Sequence, residues 1–248
     1  MKKQAYSTEV ADKLIAAEPG DKKTKFKDLK KYIGISYDFI GLSTPTQRRI
    51  FKEGYSFNTL HVQQQLHVWD KMWQADNCYE VMTQALYFIE KNIGILDDSE
   101  VWQVTRMWVA KIDNWAHSDA LSEIYSYLLE RHPELYPQFE AWNLSANPWE
   151  RRQSIVGLLT YSRKRKKVLP HTQVLPLVTN LLRDEDYFVQ KGIGWTLREV
   201  GNAYPEETLV YLHTHVGSIH PAAFTAAIEK LTPEQKNVLK TVRKIKRK

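Results

Sequence analysis

Two tryptophans and an aspartate are the residues of this chain whose types and spacing suit chemistry on a positively charged group. Trp115-Ala-His-Ser-Asp119 sets an indole and a carboxylate four residues apart, and Trp195 stands beside Gly192, Gly194 and Arg198 in the stretch Gln-Lys-Gly-Ile-Gly-Trp-Thr-Leu-Arg at 190–198. A spacing of four puts both side chains on one helix face. Indole faces attract cations by roughly 0.5–2 kcal/mol, and a carboxylate held where water is excluded stabilises positive charge. If both stretches are helical, two indoles and one carboxylate can meet on one surface. Each residue also has a plain packing role open to it. A Trp in a helical repeat is ordinarily core, and Asp119 would suit the N-cap of a helix beginning near Ala120. Gly192 and Gly194 serve either close helix packing or the approach of a bulky partner, each costing up to about 1 kcal/mol relative to Ala inside a helix.

The elements that must position these residues read as helices almost throughout. Apolar positions follow helical spacing over 80–92 (Val81, Ala85, Leu86, Ile89) and 100–112 (Val101, Val104, Trp108, Ile112), and again over 152–161, 175–182 and 189–200. No period-two alternation competes. Prolines fall between helical segments at Pro133, Pro137, Pro148, Pro170, Pro205, Pro221 and Pro233. Laying Arg152-Gln-Ser-Ile-Val-Gly-Leu-Leu over Gln190-Lys-Gly-Ile-Gly-Trp-Thr-Leu matches most apolar positions at an offset of 38 residues. That period suits HEAT-type helical hairpins, which stack into a curved solenoid with a concave surface. The expected fold is therefore all-α, one HEAT-like solenoid over 1–248, with 1–25 as an N-terminal helical cap and 240–248 as a basic C-terminal tail.

Charge narrows the partner. The chain carries 35 Lys and Arg against 29 Asp and Glu, a formal charge of +6 with a pI near 9.1, which permits a polyanion partner without demanding one. Arg-Lys-Arg-Lys-Lys at 163–167 and the tail at 240–248 each read alone as solvated loop and frayed end; together they favour phosphate contact. Cys78 is the single cysteine, so an internal disulfide and a thiolate metal cluster are both excluded. His61 and His67, and His213, His215 and His220, form no compact ligand set, and no metal is expected. There is no phosphate loop, no Gly-x-Ser-x-Gly and no Cys–His pair. Apolar runs are too short for a membrane span, and the first residues lack an apolar signal segment. A cytoplasmic protein is expected.

Four stretches carry a family resemblance: Phe-Ile-Gly-Leu-Ser-Thr-Pro-Thr-Gln-Arg-Arg at 39–49, Trp115-Ala-His-Ser-Asp119, Trp149-Glu-Arg-Arg152, and 186–199. In these the sequence resembles the HEAT-like-repeat DNA glycosylases that excise alkylated purines, the AlkD type. The last stretch departs from the family's usual form mainly by Gly192 for Ala, and His117 and Ser118 stand where the family's common form differs. The resemblance implies duplex DNA containing alkylated purines as partner, bound in the concave groove, and Trp115, Trp195 and Asp119 as the working surface. It implies excision without flipping the base into a pocket, unlike most enzymes acting on bases. It also implies an arginine on phosphate from the repeat near Trp149, either Arg151 or Arg152. Arg198, Lys191, Arg48 and Arg49 complete the candidate DNA contacts, with surface charge the plain alternative for each.

The implied reaction fits the residue types. Alkylation at N3 or N7 makes the purine a cation and a good leaving group, so little general acid is needed. As the glycosidic bond breaks, charge moves to the sugar, where a carboxylate stabilises it. No lysine nucleophile is indicated. A monofunctional, cofactor-free, monomeric glycosylase of base excision repair is expected, associated with the nucleoid when bound to DNA. Two other classes stay open: a non-catalytic paralogue that binds distorted or branched DNA, and a HEAT-type protein scaffold.

Overall fold

Residues 2–17, 23–158 and 168–247 are described by the computed structural model, with side chains over 6–17, 28–158 and 168–247. Among them the chain forms fourteen α-helices and, apart from one isolated bridge between Asp38 and Cys78, no β-structure; the all-α reading holds. None of these helices is long and apolar enough to cross a membrane. The basic run at 163–167 lies outside the described residues. The helices gather into two compact units, Met1–Ile124 and Tyr125–Lys248.

The first unit holds α1 (Lys2–Ala16), α2 (Lys23–Ile33), α3 (Thr44–Glu53), α4 (Val62–Ala75), α5 (Tyr79–Asn92), α6 (Asp98–Trp108) and the start of α7 (Trp115–Arg131). The helix expected over 80–92 is α5. The one expected over 100–112 ends earlier, because a 3-10 turn at Val109–Lys111 follows α6 and Ile112 is already extended. In the segment expected as a cap, α1 buries Val10 and Leu14 completely. Trp69, Trp73, Trp108 and Phe57 form an aromatic core. Trp73 and Trp108 stack with centroids 4.5 Å apart, worth about 0.5–1.5 kcal/mol beyond burial. Both indole N–H groups are satisfied: Trp73 donates to the Trp108 carbonyl at 3.2 Å and Trp108 to Asp70 at 2.8 Å.

The motif at 39–49 is held from below by a buried carboxylate. Glu80 accepts the backbone N–H groups of Ile40, Gly41 and Leu42 at 3.0, 2.7 and 3.3 Å. Gly41 takes a φ of 88°, a left-handed conformation natural to glycine. Burial pushes the Glu80 carboxyl up from its ordinary range, against the lowering effect of those N–H donors. This loop ends at Ser43, whose hydroxyl accepts from the Thr46 N–H and caps α3.

The second unit holds the rest of α7 with α8 (Tyr136–Asn143), α9 (Pro148–Val156), α10 (His171–Asn180), α11 (Tyr187–Ala203), α12 (Pro205–His215), α13 (Pro221–Ala227) and α14 (Pro233–Lys246). Prolines open α9, α12, α13 and α14, where the missing N–H costs no helical bond. Pro176 is the departure: it lies inside α10, within the span 175–182 whose apolar spacing read as helical. The helices α9, α11 and α13 pack in sequence, while Thr179 and Tyr211 join α10 to α12 by a hydroxyl pair at 2.9 Å. Thus α11 packs between α9 and α13 and beside α12, and the 38-residue offset superposes α9 on α11.

The basic C-terminal stretch is not a frayed tail. Most of it belongs to α14, and its cations close the end of α12. Buried Arg243 donates to the Val216 and Ile219 carbonyls at 2.5 and 2.6 Å and lies over the Phe224 ring at 4.4 Å. Lys246 donates to the carbonyls of His213 and Thr214, and Arg247 to those of Gly217 and Ile219. Cations there complement the negative end of the helix and satisfy carbonyls that lack an intrahelical partner. These three side chains therefore serve the fold.

Candidate functional site

In the first unit, Trp115 and Asp119 do share a helix face. The helix begins at Trp115, five residues before the start near Ala120 that would have made Asp119 a cap. Asn114 takes that job, its Oδ1 accepting the His117 N–H at 2.9 Å. Asp119 is left in the second turn, half-buried, one turn above half-buried Trp115. The approach to the helix is tightly tied. Asp113 accepts the Ser36 N–H and hydroxyl at 2.6 and 2.9 Å and the Tyr37 N–H at 2.9 Å. The Tyr37 hydroxyl donates to the Lys111 carbonyl at 2.9 Å. The Trp115 indole N–H donates to the Tyr32 carbonyl at 3.0 Å, and the Tyr32 ring meets Trp115 edge-on at 5.6 Å. Tyr32 is 71% exposed, an aromatic beside the site that the sequence reading missed, because its partner Trp115 lies 83 residues away in the chain.

His117 faces the other way. It is 1% exposed, stacked on Tyr79 at 4.5 Å with an 8° tilt and bonded to Thr83 Oγ1 at 3.0 Å and Asn114 Nδ2 at 3.1 Å. Burial pushes its pKa down from 6.5 to about 4. The folded protein thus keeps the ring neutral where the unfolded chain would take a proton, so unfolding binds a proton between these values. The stability contribution is complete above pH 6.5 and is lost as pH falls toward 4, approaching on the order of 3 kcal/mol. Thermal unfolding followed from pH 7 to pH 4 is expected to show this loss in wild type and a smaller one in His117→Asn; equal slopes would assign it to other groups.

In the second unit, α11 carries the other candidates. Asp186 caps it, accepting from the Phe188 and Val189 N–H groups at 2.8 and 3.0 Å. Lys191, Trp195 and Arg198 lie on its outer side, Lys191 exposed and the other two half-buried. The two glycines have different reasons. A Cβ on Gly194 would come within 2.6 Å of the Ala223 carbonyl oxygen, so α11 and α13 approach too closely for any side chain. Packing against α13, not a bulky partner, explains this glycine. A Cβ on Gly192 would meet the Arg152 guanidinium at 3.0 Å and Val156 at 3.3 Å, so its absence makes room for Arg152.

The arginines are more committed than the sequence reading expected. Arg151, a candidate phosphate contact, grips Asp184 through Nε and Nη2 at 2.6 and 3.2 Å, and its Nη1 donates to the Ser145 and Ala146 carbonyls at 3.0 and 2.9 Å. Four of its five donors are engaged, two on the loop before α11 and two on the turn before its own helix, which gives it a structural role. Arg152 is 3% exposed and donates to the Phe188 carbonyl at 2.6 Å. Arg198 is paired with Glu199 at 3.2 Å and Glu229 at 2.6 Å. Arg48 is paired with Glu90 at 3.0 Å and lies over the Tyr87 ring, and Arg49 is paired with Glu53. Lys191 has no ion pair among the described residues. Exposed pairs such as those of Arg48 and Arg49 contribute only about 0–1 kcal/mol, so a phosphate can compete for these cations.

Comparison with known proteins bears on what these residues serve. A family model described as DNA alkylation repair enzyme matches residues 16–231 of this chain. Among solved structures, the predicted DNA alkylation repair enzyme from Enterococcus faecalis aligns with a TM-score of 0.68 at 19% identity, over 86% of this chain and 97% of that one. AlkD2 from Streptococcus mutans aligns with a TM-score of 0.52 at 16% identity, over 89% of this chain and 96% of its own. These likenesses show the helical-repeat fold. No curated protein matches the chain in sequence.

Proposed function

This chain belongs to the family of DNA alkylation repair enzymes, and from that premise we propose that it is a monofunctional DNA glycosylase that removes N3- or N7-alkylated purines from duplex DNA. The observation that supports the reading furthest is the pairing of Trp115 and Asp119 on one face of α7, each half-buried, with the cap supplied by Asn114 so that Asp119 is not needed to start the helix.

In this reading the alkylated base leaves as a neutral purine, taking the bonding electrons from the glycosidic bond, and the sugar becomes an electron-poor cation. Asp119 stabilises that charge and holds the water that attacks the anomeric carbon; the water gives up one proton, through the carboxylate to solvent, and a neutral abasic site is left. Trp115 and Trp195 each offer an indole face to the cationic base or sugar, an attraction of about 0.5–2 kcal/mol that an intact nucleotide does not gain. Lys191, Arg198, Arg48 and Arg49 are assigned to phosphates, the last three by exchanging a carboxylate partner for the DNA. Arg152, buried against α11, is assigned to positioning with its side chain fixed beside Gly192.

The test is the product. Incubated with a duplex carrying one N7-methylguanine, the chain is expected to release free base and leave a strand that breaks only after alkali. Breakage without alkali would contradict a monofunctional enzyme. Intact DNA with tight, steeply salt-dependent binding would favour the non-catalytic DNA-binding alternative, and salt-insensitive or absent binding would favour a protein scaffold.

A further inference from the structure

His117 lies between the two residues of α7 assigned to chemistry, two positions after Trp115 and two before Asp119, yet its ring is buried on the opposite side. Its hydrogen bonds allow one assignment of protons. The Thr83 hydroxyl donates to the Tyr79 carbonyl at 2.8 Å, so toward His117 it can only accept. The ring therefore carries its proton on Nε2, donating to Thr83 at 3.0 Å. That leaves Nδ1 as an acceptor for the Asn114 amide at 3.1 Å. The other amide proton of Asn114 goes to Asp113 Oδ1 at 2.7 Å, and its Oδ1 takes the His117 N–H. Turning the Asn114 amide over would set its oxygen against the Asp113 carboxylate and its NH2 against a backbone N–H. The orientation of Asn114 is thus fixed from both sides.

This closed chain runs from the loop at 36–37 through Asp113 and Asn114 to His117, Thr83 and α5. Its middle member is the cap of the helix whose first residue is Trp115. We propose that His117 is a positioning residue for the site: by accepting from Asn114 through Nδ1 it locks the cap of α7 and thereby the direction in which Trp115 and Asp119 are presented. The proposal rests on the glycosylase reading for what is positioned, but not for the positioning itself.

The experiment reads the indole N–H groups by hydrogen exchange in NMR, with Trp115 assigned by its loss in Trp115→Phe. Trp115 is bonded to the Tyr32 carbonyl at 3.0 Å, whereas Trp108 is bonded to Asp70 in the core and reports the fold. His117→Phe keeps a ring on Tyr79 but removes both nitrogens, stranding a buried amide proton of Asn114. Protection of the Trp115 indole is expected to fall about tenfold while that of Trp108 holds, as for a local opening caused by a lost buried bond. His117→Asn removes the ring but keeps an acceptor where Nδ1 stood, and is expected to hold Trp115 protection within about threefold of wild type. In an Asn114→Ala background, His117→Phe is expected to add nothing further at Trp115, because its effect passes through that amide.

Selective loss in the Phe variant with recovery in the Asn variant supports the proposal. Unchanged Trp115 protection in a folded Phe variant, selective loss in the Asn variant, or additivity in the double variant overturns it. Should His117→Phe lose Trp108 protection as well, the Asn variant alone decides. Single-turnover base release is read in the same proteins and is expected to follow Trp115 protection, with duplex affinity little changed. A wild type that releases no base but shows the exchange pattern would remove the glycosylase reading and leave the positioning role standing.

Discussion

Asp119→Asn is expected to lower the single-turnover rate of base release by about 10²–10³-fold, the usual loss when one preorganised electrostatic group is removed from a transition state. The replacement keeps the shape of the side chain and removes its charge. Because α7 starts at Trp115 and is capped by Asn114, the helix does not depend on this carboxylate for its cap. Loss of a negative charge near the positive end of a helix costs only about 0.3–1 kcal/mol of stability. Duplex affinity should be unchanged or slightly higher, since a negative charge is removed from a surface proposed to face phosphates. Rate and affinity therefore separate in this variant. Full release by Asp119→Asn would remove the carboxylate from the mechanism.

Arg151→Ala is expected to destabilise the fold by about 2–3 kcal/mol, below the 3–5 typical of a broken buried pair because Arg151 is partly exposed and the partner keeps one donor. Asp184 is nearly buried, and in the variant it retains the Asp186 N–H at 2.9 Å but loses the guanidinium. The Ser145 and Ala146 carbonyls lose their partner too. The loop at 184–186 leads into the cap of α11, so the damage falls on the helix that carries Trp195. Chemical denaturation of the variant checks the magnitude. A variant of wild-type stability with weakened duplex binding would instead return Arg151 to the phosphate contacts.

The sequence made the repeat visible because α9 and α11 use the same apolar register, so one offset aligned Arg152 with Gln190 and both helices were found. Asn114 and Asp119 are both good cap types, and periodicity alone cannot say which starts the helix; the buried His117, bonded back to Asn114, decides it. Adjacent arginines at 151 and 152 point in different directions by about 100° on a helix, but their targets are a loop carboxylate and a carbonyl 33 and 36 residues away. The basic stretch at 240–248 suggested phosphate contact from composition alone, and composition carries no record of the open carbonyls at the end of α12. Gly194 needed the position of Ala223 before its purpose was clear. Trp69, Trp73, Trp108 and Trp142 are core, while Trp102, Trp115, Trp149 and Trp195 are half-buried, so burial alone does not single out the two tryptophans of the motif.

Positive charge on the base is what makes it leave, and two duplexes that differ in that charge separate this cause from others. Wild-type chain in excess is mixed with duplexes identical except for one N7-methylguanine, which is cationic, or one hypoxanthine, which is neutral, and free base is measured over a single turnover. Release of N7-methylguanine well above its spontaneous rate, with none of hypoxanthine, is the expected result; a bound N7-methylguanine duplex that loses no base would overturn the glycosylase reading.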